Sequence, residues 1–212
     1  MINQVTKDKV ELLHQQYIRL AKGKERALCE IAMSELPDMV YNSNAIENST
    51  LTLQDTEAII IHDKIIKDHE IREIYEAKNL ARVTTELMKN PNERMSMGLL
   101  LSLHSLLMSG IRDDIAGRFR CGDEWVRVGT HLGANPTFVS GLISGLVTSY
   151  YDDSYFLDKI AHFHAEFETI HPFSDGNGRM GRVLINHQLA LAGYPPIIIQ
   201  NKSKHNDYYP LF

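Results

Sequence analysis

The sequence predicts an all-α fold that carries one short β-hairpin. Three observations lead there. Apolar residues recur at helical spacing along most of the chain, capping residues stand at the starts of those runs, and a single segment, 124–132, has strand composition.

Near the N-terminus Val10, Leu13, Tyr17 and Leu20 recur at helical spacing. Ser43 and Glu47 are four positions apart, which puts them on the same side of a helix over about 39–48. Thr52-Leu53-Gln54-Asp55 has the form of a capping box with Asp in the Glu position, opening a helix through residues 59–66. Ile71, Ile74, Tyr75 and Ala81 mark the next helix, and residues 96–109 another, stopped by Gly110. Trp125, Val126 and Val128 run into Gly129-Thr130, which predicts a hairpin within 124–132. Asn135 and Pro136 supply an N-cap and a first-turn proline for a helix toward Tyr150. A helix over about 154–170 then delivers the chain to His171.

With 212 residues the chain suits one domain, or one domain with an N-terminal extension, a helical region over 1–92 before a core over 93–212. The net charge of -5 and the lack of a basic, aromatic-interleaved run argue against nucleic acid as a partner. The apolar runs are too short to span a bilayer, and the start lacks the apolar stretch of a signal peptide. Cys29 and Cys121 have no metal-type spacing, so both are read as reduced thiols of a cytoplasmic protein.

Residues 171–182 read His-Pro-Phe-Ser-Asp-Gly-Asn-Gly-Arg-Met-Gly-Arg and are followed by an apolar run of helical length. Gly176 and Gly178 let successive backbone N–H groups converge, and a helix N-terminus favours anions. Arg179 and Arg182, three apart, offer forked donors that work against the helix dipole unless a negative ligand arrives. His171 suits a general base and Asp175 a hard oxygen ligand for Mg²⁺. Taken alone, Asp-Gly-Asn-Gly is an ordinary surface turn, His171 a loop-carbonyl partner and Asp175 a helix cap. His104, in a Leu-rich helix, is read as a buried structural histidine. His162 and His164 are two apart, point in different directions and hold no zinc.

The pattern His-x-Phe-x-(Asp/Glu)-Gly-Asn-Gly-Arg-x-x-Arg, met without departure, resembles the signature of Fic proteins. Ala116-Gly117-Arg118-Phe119-Arg120 with Val126-Arg127-Val128-Gly129 resembles the flap region of that family. Ala192-Gly193-Tyr194-Pro195-Pro196 and Tyr208-Tyr209 resemble the segment after its central helix, so the likeness reaches from about residue 40 to the end. It implies a Fic-type helical bundle whose hairpin is a flap, docking a protein substrate at 124–132 by strand addition. It also implies AMP transfer from ATP to a Ser, Thr or Tyr hydroxyl of that protein, with Mg²⁺ as cofactor.

On that resemblance His171 is the base and Asp175 holds the metal. Gly176, Asn177 and Gly178 form the hole for the alpha and beta phosphates. Arg179 neutralises the phosphate chain, Arg182 takes the gamma phosphate, and Met180 and Gly181 contribute backbone on the same turn. Val128, Gly129, Thr130 and His131 border the nucleotide, and Tyr208 and Tyr209 lie against it. Phe173 is read as a core anchor. Ser43 and Glu47 fit the (Ser/Thr)-x-x-x-Glu-(Gly/Asn) motif of an autoinhibitory helix whose glutamate pairs with Arg182.

The resemblance leaves open de-AMPylation or phosphotransfer on the same fold, a non-catalytic nucleotide sensor, and a homodimer. Relatives usually continue past the equivalent of Phe212 into a helix that closes the adenine pocket. Without one, base discrimination is expected to be weak.

Overall fold

The structure, a computed structural model, describes residues 2–129, 131–152, 154–204 and 208. Thr130 and Tyr209, both expected at the nucleotide, lie outside the described residues. The order is α1 (Gln4–Ala21), α2 (Glu25–Ser34), α3 (Leu36–Ile46), α4 (Leu53–Ile61), α5 (Ile71–Lys89), α6 (Met97–Met108), β1 (Arg127–Val128), β2 (His131–Leu132), α7 (Val139–Ser149), α8 (Phe156–Ile170) and α9 (Asn177–Leu191). Short 3-10 turns cover Pro136–Phe138 and Asn201–Ser203. The two strands pair antiparallel, Arg127 with Leu132 and Val128 with His131. This is the mostly helical fold with a hairpin that the pattern predicts, although among the described residues of 124–132 strand geometry is confined to four.

The capping signals explain most boundaries. Thr52 accepts from Asp55 N while the Asp55 carboxylate accepts from Thr52 N, closing the capping box. Ser96 accepts from Leu99 N at 3.1 Å, and the chain leaves α6 through Gly110 at φ 70°. The predicted helix through residue 66 ends five residues earlier, at Ile61. His62 N and Lys64 N both donate to Ala58 O, and Asp63 turns left-handed at φ 52°. That closure satisfies the end of α4 and leaves Ile65 and Ile66 in solvent.

The core lies where α5, α6, α8 and α9 face one another. Leu80 and Val83 of α5 meet Leu100 and Leu107 of α6, Phe163 and Phe167 of α8, and Met180 and Leu184 of α9. Each such side chain contributes about 1.5–3 kcal/mol when fully buried. Phe173, from the loop between α8 and α9, is fully buried in the same cluster, so the anchor expected from the sequence holds the loop to the core. Among the described residues no helix is long and apolar enough to cross a membrane.

Helix α1 forms where its periodicity predicts, but it buries no residue. Leu13 and Leu20 stay in solvent, and polar contacts attach the helix. Ile2 N and Lys7 Nζ both donate to Asp158 at 2.9 Å, and His14 stacks on Tyr194 with ring centroids 3.8 Å apart.

Candidate functional site

Residues 171–182 cross from the C-terminus of α8 to the N-terminus of α9. His171 caps α8 in the left-handed region, at φ 52° and ψ 66°, an unusual conformation for a residue with a side chain. Buried Arg120 holds it there. Its backbone N–H donates to Pro172 O, its Nε to His171 O at 2.6 Å, and its Nη2 to Ile170 O at 2.8 Å and to Ala134 O. One guanidinium thus satisfies the last carbonyls of α8, at the negative end of that helix, and ties them to the base of the hairpin.

The loop is pinned twice more. Phe173 N donates to Asn177 Oδ1 at 2.8 Å, and Asn177 Nδ2 donates to Phe173 O at 2.7 Å. The Asn177 side chain is therefore taken up within the loop, and only its backbone N–H is left for an anion. His104 stacks on Phe173 at 3.7 Å; its Nδ1 accepts from Gly117 N at 3.1 Å, and its Nε2 donates to Asp175 O at 3.0 Å. Burial pushes His104 down to about 4, so the ring is neutral and this tautomer is fixed. The structural histidine expected at this position joins the turn after α6, at Gly117, to the loop.

Gly176, at φ 81°, opens α9, and a Cβ there would meet Leu107 and Met108 at 3.2 Å. The first-turn N–H groups of α9 have no partner within the helix, the condition for anion binding. The Met180 side chain is fully buried, so on this turn only its backbone faces the loop. Gly181 passes close over Glu168 Oε1 and His164 Cε1, 2.6 and 2.7 Å from an added Cβ. Replacing Gly181 by alanine is therefore expected to destabilise the fold by about 1–3 kcal/mol through overpacking. Denaturant unfolding of the variant checks this, and an unchanged midpoint would contradict the packing.

The two arginines face different partners. Arg179 reaches Glu76 Oε1 and Asp175 Oδ1, each at 3.1 Å. Arg72 closes the square, at 2.5 Å from Asp175 Oδ2 and 2.9 Å from Glu76 Oε1. Burial raises the Asp175 carboxyl, but Arg179 and Arg72 hold it below its ordinary value and therefore ionised. Arg182 is buried and points to α3: Nε donates to Ser43 Oγ at 2.9 Å, and Nη2 to Ser43 O at 2.9 Å and Glu47 Oε1 at 2.7 Å. Ser43 is thus a direct acceptor for the guanidinium, through both its hydroxyl and its carbonyl. The Glu47 carboxylate lies over the first turn of α9, with Oε1 only 2.2 Å from where a Cβ on Gly178 would stand.

Val128 is partly covered, and Gly129 and His131 are exposed on the hairpin. Tyr208 is buried, its hydroxyl 3.0 Å from His164 Nε2 and its ring 6.0 Å from the Arg182 guanidinium. That places it behind Arg182. His162 is exposed while His164 is buried, so the two rings share no face. Four residues at the site carried no prior role: Arg72, Glu76, Arg120 and Glu168. Arg72 and Glu76 are four apart, and Glu168 precedes His171 by three, so helical spacing alone pairs each with a neighbour.

A helical bundle with this hairpin and this arginine-flanked helix start defines a class. Residues 94–189 match the model of the Fic/DOC family, and the chain carries a domain of that family. It is 32% identical over 180 residues to protein adenylyltransferase Fic of Culex quinquefasciatus, covering 80% of this chain and 35% of that one. Against protein adenylyltransferase Fic of Nematostella vectensis it is 30% identical over 221 residues, covering 95% of this chain and 50% of that one. The chain therefore spans about a third to a half of the length of these curated relatives. A Fic family protein from Desulfovibrio desulfuricans superposes with a TM-score of 0.73 at 31% identity, over 91% of this chain and 58% of that one. A Fic domain containing signaling protein from Bacteroides thetaiotaomicron, 22% identical, shares the fold with a TM-score of 0.82, over 95% of this chain and 80% of that one.

Proposed function

We propose that the chain transfers AMP from ATP to a Ser, Thr or Tyr hydroxyl of a protein and is held off by Glu47. The observation that carries this reading is the start of α9, whose amides, Arg179 and Arg182 lie one loop away from His171. The reading is further supported by relatives whose names are protein adenylyltransferase.

In this reading the α9 amides bind the alpha and beta phosphates, and Arg179 offsets their charge. Arg182, once free of Glu47, binds the gamma phosphate. His171 Nε2 takes the proton of the attacking hydroxyl as its oxygen bonds to the alpha phosphorus and pyrophosphate leaves. The hairpin offers backbone to an extended segment of the target protein.

Mg²⁺ fits Asp175, a hard carboxylate kept ionised beside the phosphate site, with lone pairs beyond those that Arg72 and Arg179 occupy. When bound, the ion would neutralise charge developing on the departing pyrophosphate.

Incubation with ATP labelled at the alpha or at the gamma phosphorus tests the reading. Alpha label on protein is the expected result. Gamma label alone means phosphotransfer, and neither label on any protein means a sensor or an enzyme that removes AMP.

A further inference from the structure

We propose that Glu168 is a positioning residue for His171, its backbone carbonyl and buried carboxylate together setting the ring as a base. The proposal rests on the reading of His171 as that base. His171 Nδ1 lies 3.2 Å from Glu168 O and 3.6 Å from Glu168 Oε2. The carbonyl can only accept, so Nδ1 carries the ring hydrogen and Nε2 keeps its lone pair for an incoming proton. The carboxylate is beyond hydrogen-bond range but within ion-pair range, so its attraction grows when the ring becomes positive.

Glu168 has no evident task in holding the fold. It is 8% exposed, and its Oε1 lacks a hydrogen-bond partner among the described residues. The groups that face it are His164 and His171 on α8, Arg182 on α9, Glu47 after α3, and Tyr208. Arg182 favours its charge and Glu47 opposes it, but the hydrogen bonds of Arg182 go to Ser43, Glu47 and Tyr208. On His171 itself burial, Arg120 and His131 oppose the charged ring, while the Glu168 carbonyl and the Glu47 carboxylate favour it. A buried, unsatisfied carboxylate destabilises a fold. Its position beside the one histidine at the head of the phosphate loop gives it a function.

Burial raises the Glu168 carboxyl to about 7, so its charge changes near neutrality. The folded value lies above the ordinary one. The stability contributed by the protonated form is therefore complete below the ordinary carboxylate range and is lost as pH rises through about 7. Activity runs the other way, since the anion above that pH favours the imidazolium that forms as the hydroxyl loses its proton. Glu168→Gln should thus weaken the base without weakening the fold, a pairing that a purely structural role does not give.

The experiment titrates His171 by NMR in the full chain, wild type against Glu168→Gln. In wild type the His171 ring resonances are expected to carry an inflection near pH 7 from the neighbouring carboxyl, and Glu168→Gln should lose it. In a Glu47→Gly background, AMP transfer at pH 8, where the carboxylate is ionised, should fall by up to about tenfold with Glu168→Gln, the effect of losing about one unit of base strength. Glu168→Asp, which keeps the charge, should restore part of it. The thermal midpoint at pH 8 should hold or rise. A His171 titration curve identical in wild type and Glu168→Gln overturns the proposal whatever the activity does. A changed titration curve with transfer intact in His171→Ala would sustain the electrostatic coupling and sink the base assignment instead.

Discussion

Replacing Glu47 by glycine is expected to raise AMP transfer, including self-modification, by roughly 10- to 100-fold. Arg182 gives Nη2 to Glu47 Oε1 at 2.7 Å, so a gamma phosphate and this carboxylate compete for one buried guanidinium. A charge-assisted hydrogen bond is worth about 1.5–3 kcal/mol, which sets the range. The Glu47 side chain is 43% exposed, and solvent screening places the gain toward the lower end. The substitution spares the fold because Glu47 follows the last turn of α3 at φ -83°, a conformation glycine adopts freely. Ser43→Ala should act in the same direction but more weakly. It removes the hydroxyl acceptor of Nε and leaves the Ser43 carbonyl and Glu47 in place. Alpha-labelled AMP incorporation reads both variants; equal rates for wild type and Glu47→Gly would refute autoinhibition.

His171→Ala, in the Glu47→Gly background, is expected to lower transfer by about 10²–10⁴-fold, the usual contribution of a positioned base. ATP affinity should remain nearly unchanged, since proton removal matters only in the transition state. His171→Asn is the control for backbone strain. Asparagine tolerates the left-handed conformation that this position holds at φ 52°, so a loss shared by both variants reports the missing imidazole. Calorimetry with ATP and label incorporation separate binding from chemistry, and an undiminished rate in either variant would remove His171 from the proposed role.

The sequence made local features legible. Caps at Thr52 and Asn135, the stop at Gly110 and the loop-to-helix junction at Gly176 are each decided within a few residues, and each stands where the pattern puts it. Contacts between distant segments were not legible. Arg72 meets Asp175 across 103 positions, and nothing in either local pattern favours that pair over Arg72 with Glu76 alone. The Asn177 side chain looked free for a phosphate because sequence cannot tell a side chain aimed outward from one that satisfies its own loop. Periodicity found α1 but not its exposure, since a helical repeat of apolar residues says nothing about whether a partner covers them. Arg120 stood inside a recognisable motif, yet its work is done on carbonyls, which every residue type supplies.

The most direct test of the account compares ATP affinity and alpha-label transfer in wild type, Glu47→Gly, Arg182→Ala and Glu47→Gly/Arg182→Ala. Among the described residues the guanidinium that Glu47 contacts is that of Arg182. Glu47→Gly should therefore raise both quantities when Arg182 is present and change neither when it is absent, a coupling of about 1.5–3 kcal/mol. A gain of the same size in the Arg182→Ala background would contradict it, because the carboxylate would then be acting on something other than Arg182.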